Sequence, residues 1–379
     1  MTTITCVEDF RQLYKRRVPK MFCDYADAGS YSESTYRANE ADFGDLLIRQ
    51  RVGIDISDVR MNTTLFGQKA RLPVCFAPVG MLGIQHAAGE IKVARAAEAY
   101  GVPFTLSTMS ICSIEDVAGA TNTPFWFQLY VVKDRAFNID LIRRAKAAGC
   151  SALVVTMDLP MLGQRHKDIK NGLSIKIRPT LANLVDLATK PGWGLRMART
   201  PYKSFGNVIG HAKGVDDLNS LLTWASEQVD PSLTWADIET FRKEWDGPLI
   251  LKGIMDVEDA QIAAGLGVDG IIVSNHGGRQ QDGASSSIAY LPKIADAVGD
   301  RMELVIDSGV RSGQDMFRAL AMGASGTMLG RAMVYALGAM GEDGITTLLG
   351  ILEKELRTTM GLAGRTDVAD VTSSDVFRH

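Results

Sequence analysis

His276 is the side chain best suited to proton transfer in this sequence. It is one of five histidines (His86, His166, His211, His276 and His379) and lies in SNHGGRQQDG, where two glycines keep the turn open and Arg279 follows three positions later. A guanidinium can grip a carboxylate through two parallel hydrogen bonds, and an imidazole titrates near neutrality. The pair therefore suits a substrate with a carboxylate and an acidic or transferable hydrogen. The plainer alternative is a hydrogen-bonded histidine in a glycine-rich turn. Asp158, in TMDLP, is a carboxylate that can orient His276 and stabilise its imidazolium, or else cap a following helix. Lys252, closing PLILK, would be costly to bury alone. It can meet a ligand anion, form a Schiff base, or pair with a carboxylate inside the fold.

A second group of residues is suited to an anion. DSGVRSGQD brings Asp307, Ser308, Gly309 and Arg311 together, and LGRAM brings Gly330 and Arg331. Glycine lets a phosphate approach the backbone, free N–H groups at a helix start point toward it, and arginine adds charge. Ordinary tight turns are the alternative.

Eight short apolar runs can carry these residues: LPVCFA from Leu72, PFTLS from Pro103, FWFQLY from Phe125, ALVVTMD from Ala152, PLILK from Pro248, GIIVSN from Gly270, ELVID from Glu303 and GTMLG from Gly326. Helical segments such as AKAAGCSALVV intervene, closed by glycines such as Gly149 and Gly323. Strand and helix repeated eight times predict an α/β fold, a (β/α)8 TIM barrel, with strand C-termini converging on one pocket. A doubly wound sheet would need a G-x-G-x-x-G turn after the first strand, and PVGMLG matches it poorly. The strand ends are polar almost throughout: Ser107, Gln128 and Tyr130, Thr156 and Asp158, Lys252, Ser274 to His276, Asp307 and Arg311, then Gly330 and Arg331.

From Val74 to Thr327 the strand markers lie 30, 21, 28, 96, 22, 33 and 23 residues apart, so one connection, after strand 4, is far longer than the others. The chain reads as a single domain, 1–379, with the barrel at about 70–335, an N-terminal extension before it and the insertion at about 165–247. Residues 165–213 hold ten Lys or Arg against two Asp, a net +8 in a chain of −3. With LANLVDLATKPGWGLRM, including Trp193, this is a basic amphipathic segment, either resting on an anionic membrane or lying as a solvated lid with an apolar underside. ITTLLGILEKELRTTM has apolar residues at 345, 348, 349, 352 and 356, the period of a helix that closes one end of the barrel.

Composition narrows the function further. With 46% hydrophobic and 22% charged residues the chain can bury a large core, and the net charge of −3 argues against a nucleic-acid partner. The five cysteines are scattered without C-x-x-C spacing, which speaks against zinc sites and disulfides and for a reducing compartment; no metal site is expected. Neither a signal peptide nor a spanning helix is predicted.

SNHGGRQQDG, DSGVRSG, LGR, FCDYADAGS and TMDLPMLGQRHKDIKNG together resemble the FMN-dependent L-2-hydroxyacid oxidase and dehydrogenase family over essentially the whole chain, and within it the respiratory bacterial L-lactate branch. The resemblance implies that Pro78, Val79 and Gly80 cradle the isoalloxazine of FMN and that Ser107, Gln128, Thr156 and Ser274 serve the ring. Lys252 would face its N1/C2 carbonyl side, while Asp307, Ser308, Gly309, Arg311, Gly330 and Arg331 would take ribityl and phosphate. Tyr25, Tyr130, Arg165 and Arg279 would hold a small L-2-hydroxyacid, with His276 as base and Asp158, Lys252 and Tyr130 completing the catalytic set. It also implies a homotetramer, in the cytoplasm or on the inner face of the membrane, passing electrons to quinone or to oxygen. Gly80 stands where oxidases tend to have alanine, which favours quinone, and Met109 where glycolate oxidases have tryptophan. Gln281 replaces a usual leucine. Two other classes remain open: a colourless aldolase using Lys252, and a flavin-binding module without turnover.

Overall fold

The structure, a computed structural model, describes residues 3–172, 180–215, 224 and 228–378. Lys176 and Arg178 of the basic run, and His379, lie outside them. All eight expected strands form: β1 Val74–Phe76, β2 Thr105–Ser107, β3 Trp126–Tyr130, β4 Ala152–Thr156, β5 Leu249–Ile254, β6 Gly270–Val273, β7 Glu303–Ile306 and β8 Gly326–Leu329. They pair in parallel from β2 round to β8 and on to β1. A parallel bridge between Phe76 and Phe104, with Phe76 N donating to Pro103 O at 2.9 Å, closes the ring into a barrel.

Both faces of these strands are buried, which is why they read as continuous apolar runs rather than alternating ones. One face fills the barrel: Cys75, Trp126, Val154, Ile250, Ile272, Val305 and Met328 form a single cluster. Leu65, Phe66 and Ala70, from the hairpin Thr63–Leu65 and Gln68–Ala70, join that cluster and plug the N-terminal mouth. The other face packs under the helices. Side chains alternate along a strand, so the next inward positions after Trp126, Val154, Ile250, Ile272 and Val305 are Gln128, Thr156, Lys252, Ser274 and Asp307. The apolar barrel core thus gives way, one layer up, to a ring of polar groups at the C-terminal mouth.

The flanking segments are tied to the barrel. Helix Val7–Arg17 lies against helix Arg331–Met340, where Tyr14 and Tyr335 have ring centroids 5.6 Å apart. The expected C-terminal helix runs Glu342–Ala363 and buries Ile345, Leu348, Leu349, Leu352 and Leu356. Strand Val376–Arg378 then pairs antiparallel with Leu46–Ile48.

Two helices between β4 and β5 correct the sequence reading. Helix Leu181–Ala188 turns its polar side inward: Asn183 donates to Asn171 O at 2.8 Å, and Asp186 accepts from Lys20 N at 2.6 Å. Leu181, Leu184 and Val185 face outward at 78, 53 and 61% exposure, so this segment is no lid with an apolar underside. Trp193, expected to supply lipid contact, instead stacks on Phe22 at 5.4 Å and donates its indole N–H to Ile84 O at 2.9 Å. It anchors helix Pro191–Arg199 to the body of the protein.

Candidate active site at the C-terminal mouth of the barrel

His276 leaves β6 in the left-handed conformation (φ 58°), followed by Gly277 and Gly278 at 67° and 70°. Gly278 is required here, because a Cβ would come within 2.5 Å of Tyr36 N. The turn is fixed by hydrogen bonds from His276 N to Ser274 Oγ, from Gly277 N to Ser308 Oγ and from Gly278 N to Asn275 Oδ1, at 3.0–3.1 Å. This arrangement puts His276 Nδ1 3.0 Å from Asp158 Oδ1 and sets the imidazole over the Tyr130 ring, with centroids 6.4 Å apart. Burial would raise the Asp158 carboxyl, but the adjacent His276 and Lys252 outweigh it and hold the group below its ordinary range. Asp158 caps no helix, since the next one begins at His166.

Lys252 is 4% exposed and pairs with Asp307 Oδ2 at 2.6 Å while donating to Ser274 Oγ at 2.6 Å. Of the alternatives left by the sequence, an internal ion pair is therefore present, although both partners also line the cleft. On the opposite side Ser107 Oγ donates to Gln128 Oε1 at 3.0 Å, and Gln128 Nε2 donates to Thr156 Oγ1 at 2.9 Å.

The segment 25–28, from before the barrel, roofs the site. Arg279 Nη1 donates to Tyr25 O at 2.7 Å and to Ala28 O at 3.1 Å, with its guanidinium 5.0 Å from the centre of the Tyr25 ring. Arg331 donates to Ala26 O at 3.0 Å and Ala28 O at 2.7 Å. Asp27 between them accepts from Arg11, Tyr36 and Tyr335. Arg165 pairs with the buried Asp168 at 2.6 Å. Burial and the neighbouring Arg165 charge lower the Arg279 guanidinium to about 10, while burial beside Tyr25 and Asp158 pushes the Tyr130 phenol up.

The cleft encloses about 850 Å³, its open mouth included. Most of the residues named from sequence line it: Tyr25, Pro78, Val79, Gly80, Tyr130, Thr156, Lys252, His276 and Arg279, then Asp307, Ser308, Gly309, Arg311, Gly330 and Arg331. Ser107, Gln128, Ser274 and Asp158 stand behind that lining, and Arg165 borders an adjoining chamber of about 1100 Å³. The chamber shares Tyr25, Gly80, Tyr130, Thr156, His276 and Arg279 with the cleft, and apolar walls from Met81, Met109, Val132, Leu159, Leu162 and Phe205 extend it outward. Arg311, which was expected to meet phosphate, donates to Glu40 at 2.7 Å and to Val310 O at 2.9 Å.

Two residues escaped sequence reasoning. Gly253 forms a bulge in β5 (φ 101°), and the only signal was a glycine inside an apolar run. Asp27 gave none beyond its place in DYADAGS.

The cleft fits a flat, phosphorylated heterocycle. Arg311, Arg331 and the start of the ten-residue helix Arg331–Met340 give it a basic end, a buried lysine reaches its floor, and Gly309, where a Cβ would lie 1.8 Å from Asn39 O, brings bare backbone to the lining. Fold and site define a barrel flavoprotein class. Residues 14–378 match the family model described as FMN-dependent dehydrogenase, and the chain belongs to that family. It is 47% identical over 378 residues to an L-lactate dehydrogenase of Caulobacter vibrioides (strain NA1000 / CB15N), covering 98% of this chain and 97% of that one. It is 46% identical over 374 residues to an L-lactate dehydrogenase of Actinobacillus pleuropneumoniae serotype 5b (strain L20), covering 97% of each. Among solved structures it resembles the monotopic membrane protein (S)-mandelate dehydrogenase (TM-score 0.95, 32% identity, 100% of both chains). A mandelate oxidase is also similar (TM-score 0.84, 34% identity, 99% and 98%).

Proposed function

We propose that this FMN-dependent dehydrogenase oxidises L-lactate to pyruvate and passes the electrons to a membrane quinone. The observation that carries the reading is the 3.0 Å contact of His276 Nδ1 with Asp158, which leaves Nε2 as the basic atom in a cleft that also holds Arg279, Tyr25 and Tyr130. FMN, when bound, supplies the two-electron acceptor. Pro78 to Gly80, Thr156 and Lys252 would hold its ring, backed by Ser107, Gln128 and Ser274, and Asp307 to Arg311 with Gly330 and Arg331 would hold ribityl and phosphate. Arg279 and Arg165 take the substrate carboxylate; Tyr25 and Tyr130 orient its hydroxyl. Two electrons and two protons leave the substrate, and His276 accepts one of the protons, from Cα or from the hydroxyl. Asp158 stabilises the resulting imidazolium.

The names of the curated relatives support L-lactate as substrate. Three observations support a peripheral membrane position: the outward leucines of Leu181–Ala188, the +8 run, and the similarity to a monotopic membrane protein; the cytoplasmic face belongs to the same proposal. Among the described residues no helix is long and apolar enough to cross a membrane. The homotetramer belongs to the same proposal and rests on the family resemblance. Anaerobic mixing of the yellow protein with a panel of L-2-hydroxyacids tests the reading: L-lactate bleaches it, and readmitted quinone restores the colour faster than oxygen. Rapid return in air with release of peroxide would make it an oxidase. A colourless protein trapped by borohydride would be a lysine aldolase.

A further inference from the structure

The Lys252 ammonium lies between two acceptors at the barrel mouth. Ser274 Oγ just past β6 and Asp307 Oδ2 just past β7 are each 2.6 Å from Nζ, and Lys252 itself lies near the C-terminal end of β5. Asp307 is 7% exposed and also accepts from Ser308 Oγ at 2.7 Å. The other carboxylate acting on this lysine, Asp158, is engaged by His276. Asp307 is thus the counter-ion that turns a buried cation into a near-neutral pair, and both members line the cleft.

We propose that Asp307 sets the reduction potential of the flavin by partly cancelling the charge of Lys252. The inference rests on the placement of FMN with Lys252 at its N1/C2 carbonyl side. Reduction by two electrons and one proton leaves negative charge at that edge of the ring. A bare ammonium there favours the reduced form strongly, and a carboxylate 2.6 Å behind it withdraws much of that advantage. Reduction by the substrate and delivery of electrons to an acceptor make opposite demands on the potential, and an internal counter-ion adjusts it without moving the lysine. A residue that merely hydrogen-bonds the ribityl chain would act on both redox states alike, changing FMN affinity and leaving the potential where it was.

The test uses FMN-replete holoenzyme and two readouts that need no substrate: the midpoint potential, and the dissociation constant of sulfite, which adds to oxidised flavin and leaves charge at the same edge. In Asp307→Asn the expected result is sulfite binding at least tenfold tighter. The potential rises by about 30 mV for each tenfold preference gained by the reduced form of a two-electron couple. Asp307→Ser gives the same result should the asparagine variant fail to fold, and Asp307→Glu returns both readouts toward the parent values. Lys252→Met moves both the opposite way. Neutral variants that hold FMN with the parent potential and sulfite constant, while Lys252→Met shifts them, overturn the role of Asp307 alone. If FMN affinity falls with the potential of the bound flavin unchanged, Asp307 is a ribityl ligand only. If Lys252→Met changes neither readout, the placement of the flavin fails and the inference with it.

Discussion

Gly253 and Asp158 fit together as notch and peg: a Cβ built on Gly253 would lie 2.5 Å from Asp158 Cγ. The bulge that makes the notch falls between Lys252 and Ile254, just past the inward-facing Lys252, and the bare Gly253 there admits the carboxylate that holds His276. Gly253→Ala therefore displaces Asp158 and loosens the imidazole. The expected outcome is flavin reduction slowed by about 10- to 100-fold, less than the roughly 10²- to 10⁴-fold that a positioned base contributes because the base is displaced rather than removed, with FMN retained. Parent-like reduction rates in rapid mixing would show that Asp158 needs no notch.

Arg279 uses one nitrogen, Nη1, to hold the Tyr25 and Ala28 carbonyls, leaving the rest of its fork for a carboxylate. Lysine can supply the charge but not both functions. Arg279→Lys should raise the apparent dissociation constants for L-lactate and for the unreactive dicarboxylate oxalate, and slow reduction as well. If both constants match the parent, the carboxylate binds elsewhere.

The roof segment carries a pH dependence. Burial would raise the Asp27 carboxyl, but hydrogen bonds from Tyr335 and Arg11, with the Arg11 charge, bring it from 3.8 to about 2. Because the folded value is depressed, the stabilisation is complete above about pH 4 and is lost as pH falls toward 2. A shift of this size is on the order of 2 kcal/mol. Asp27→Asn should flatten the acid limb of a thermal-stability profile between pH 4 and 2, and raise the KM for L-lactate more than it lowers kcat. An acid limb identical to that of the parent would place the transition in other carboxylates.

The outward leucines predict lipid contact. Leu181→Glu with Leu184→Glu should abolish association with anionic liposomes at low salt while leaving anaerobic reduction by L-lactate intact. Binding by the parent should weaken as salt screens Lys and Arg over about 8–10 Å. A double variant that still binds liposomes would assign the contact to another surface.

The sequence shows the barrel clearly because strands buried on both faces must be continuous apolar runs, and eight of them alternate with helices capped at glycines such as Gly149 and Gly323. His276 and Arg279 stand out as candidates from local chemistry alone, and the fold places both on the cleft. What the chain cannot show locally is which partner a group meets across the fold: Asp158 reaches a histidine 118 positions away, and Lys252 meets Asp307 across β6. Periodicity gives LANLVDLA an apolar face but not the direction in which it turns. Asn183 donates to Asn171 O and Asp186 accepts from Lys20 N, so the polar side turns inward and the leucines lie outside. The same holds for Trp193, since an indole near basic residues looks alike in sequence whether it meets lipid or Phe22.

Anaerobic rapid mixing of L-lactate with the holoenzyme and with its His276→Gln variant tests the central claim most directly. Both should be yellow; the parent should bleach within its turnover time, and the variant about 10²- to 10⁴-fold more slowly. A variant reduced at nearly the parent rate would remove His276 as the base, and a parent that no L-2-hydroxyacid can bleach would contradict the assigned reaction.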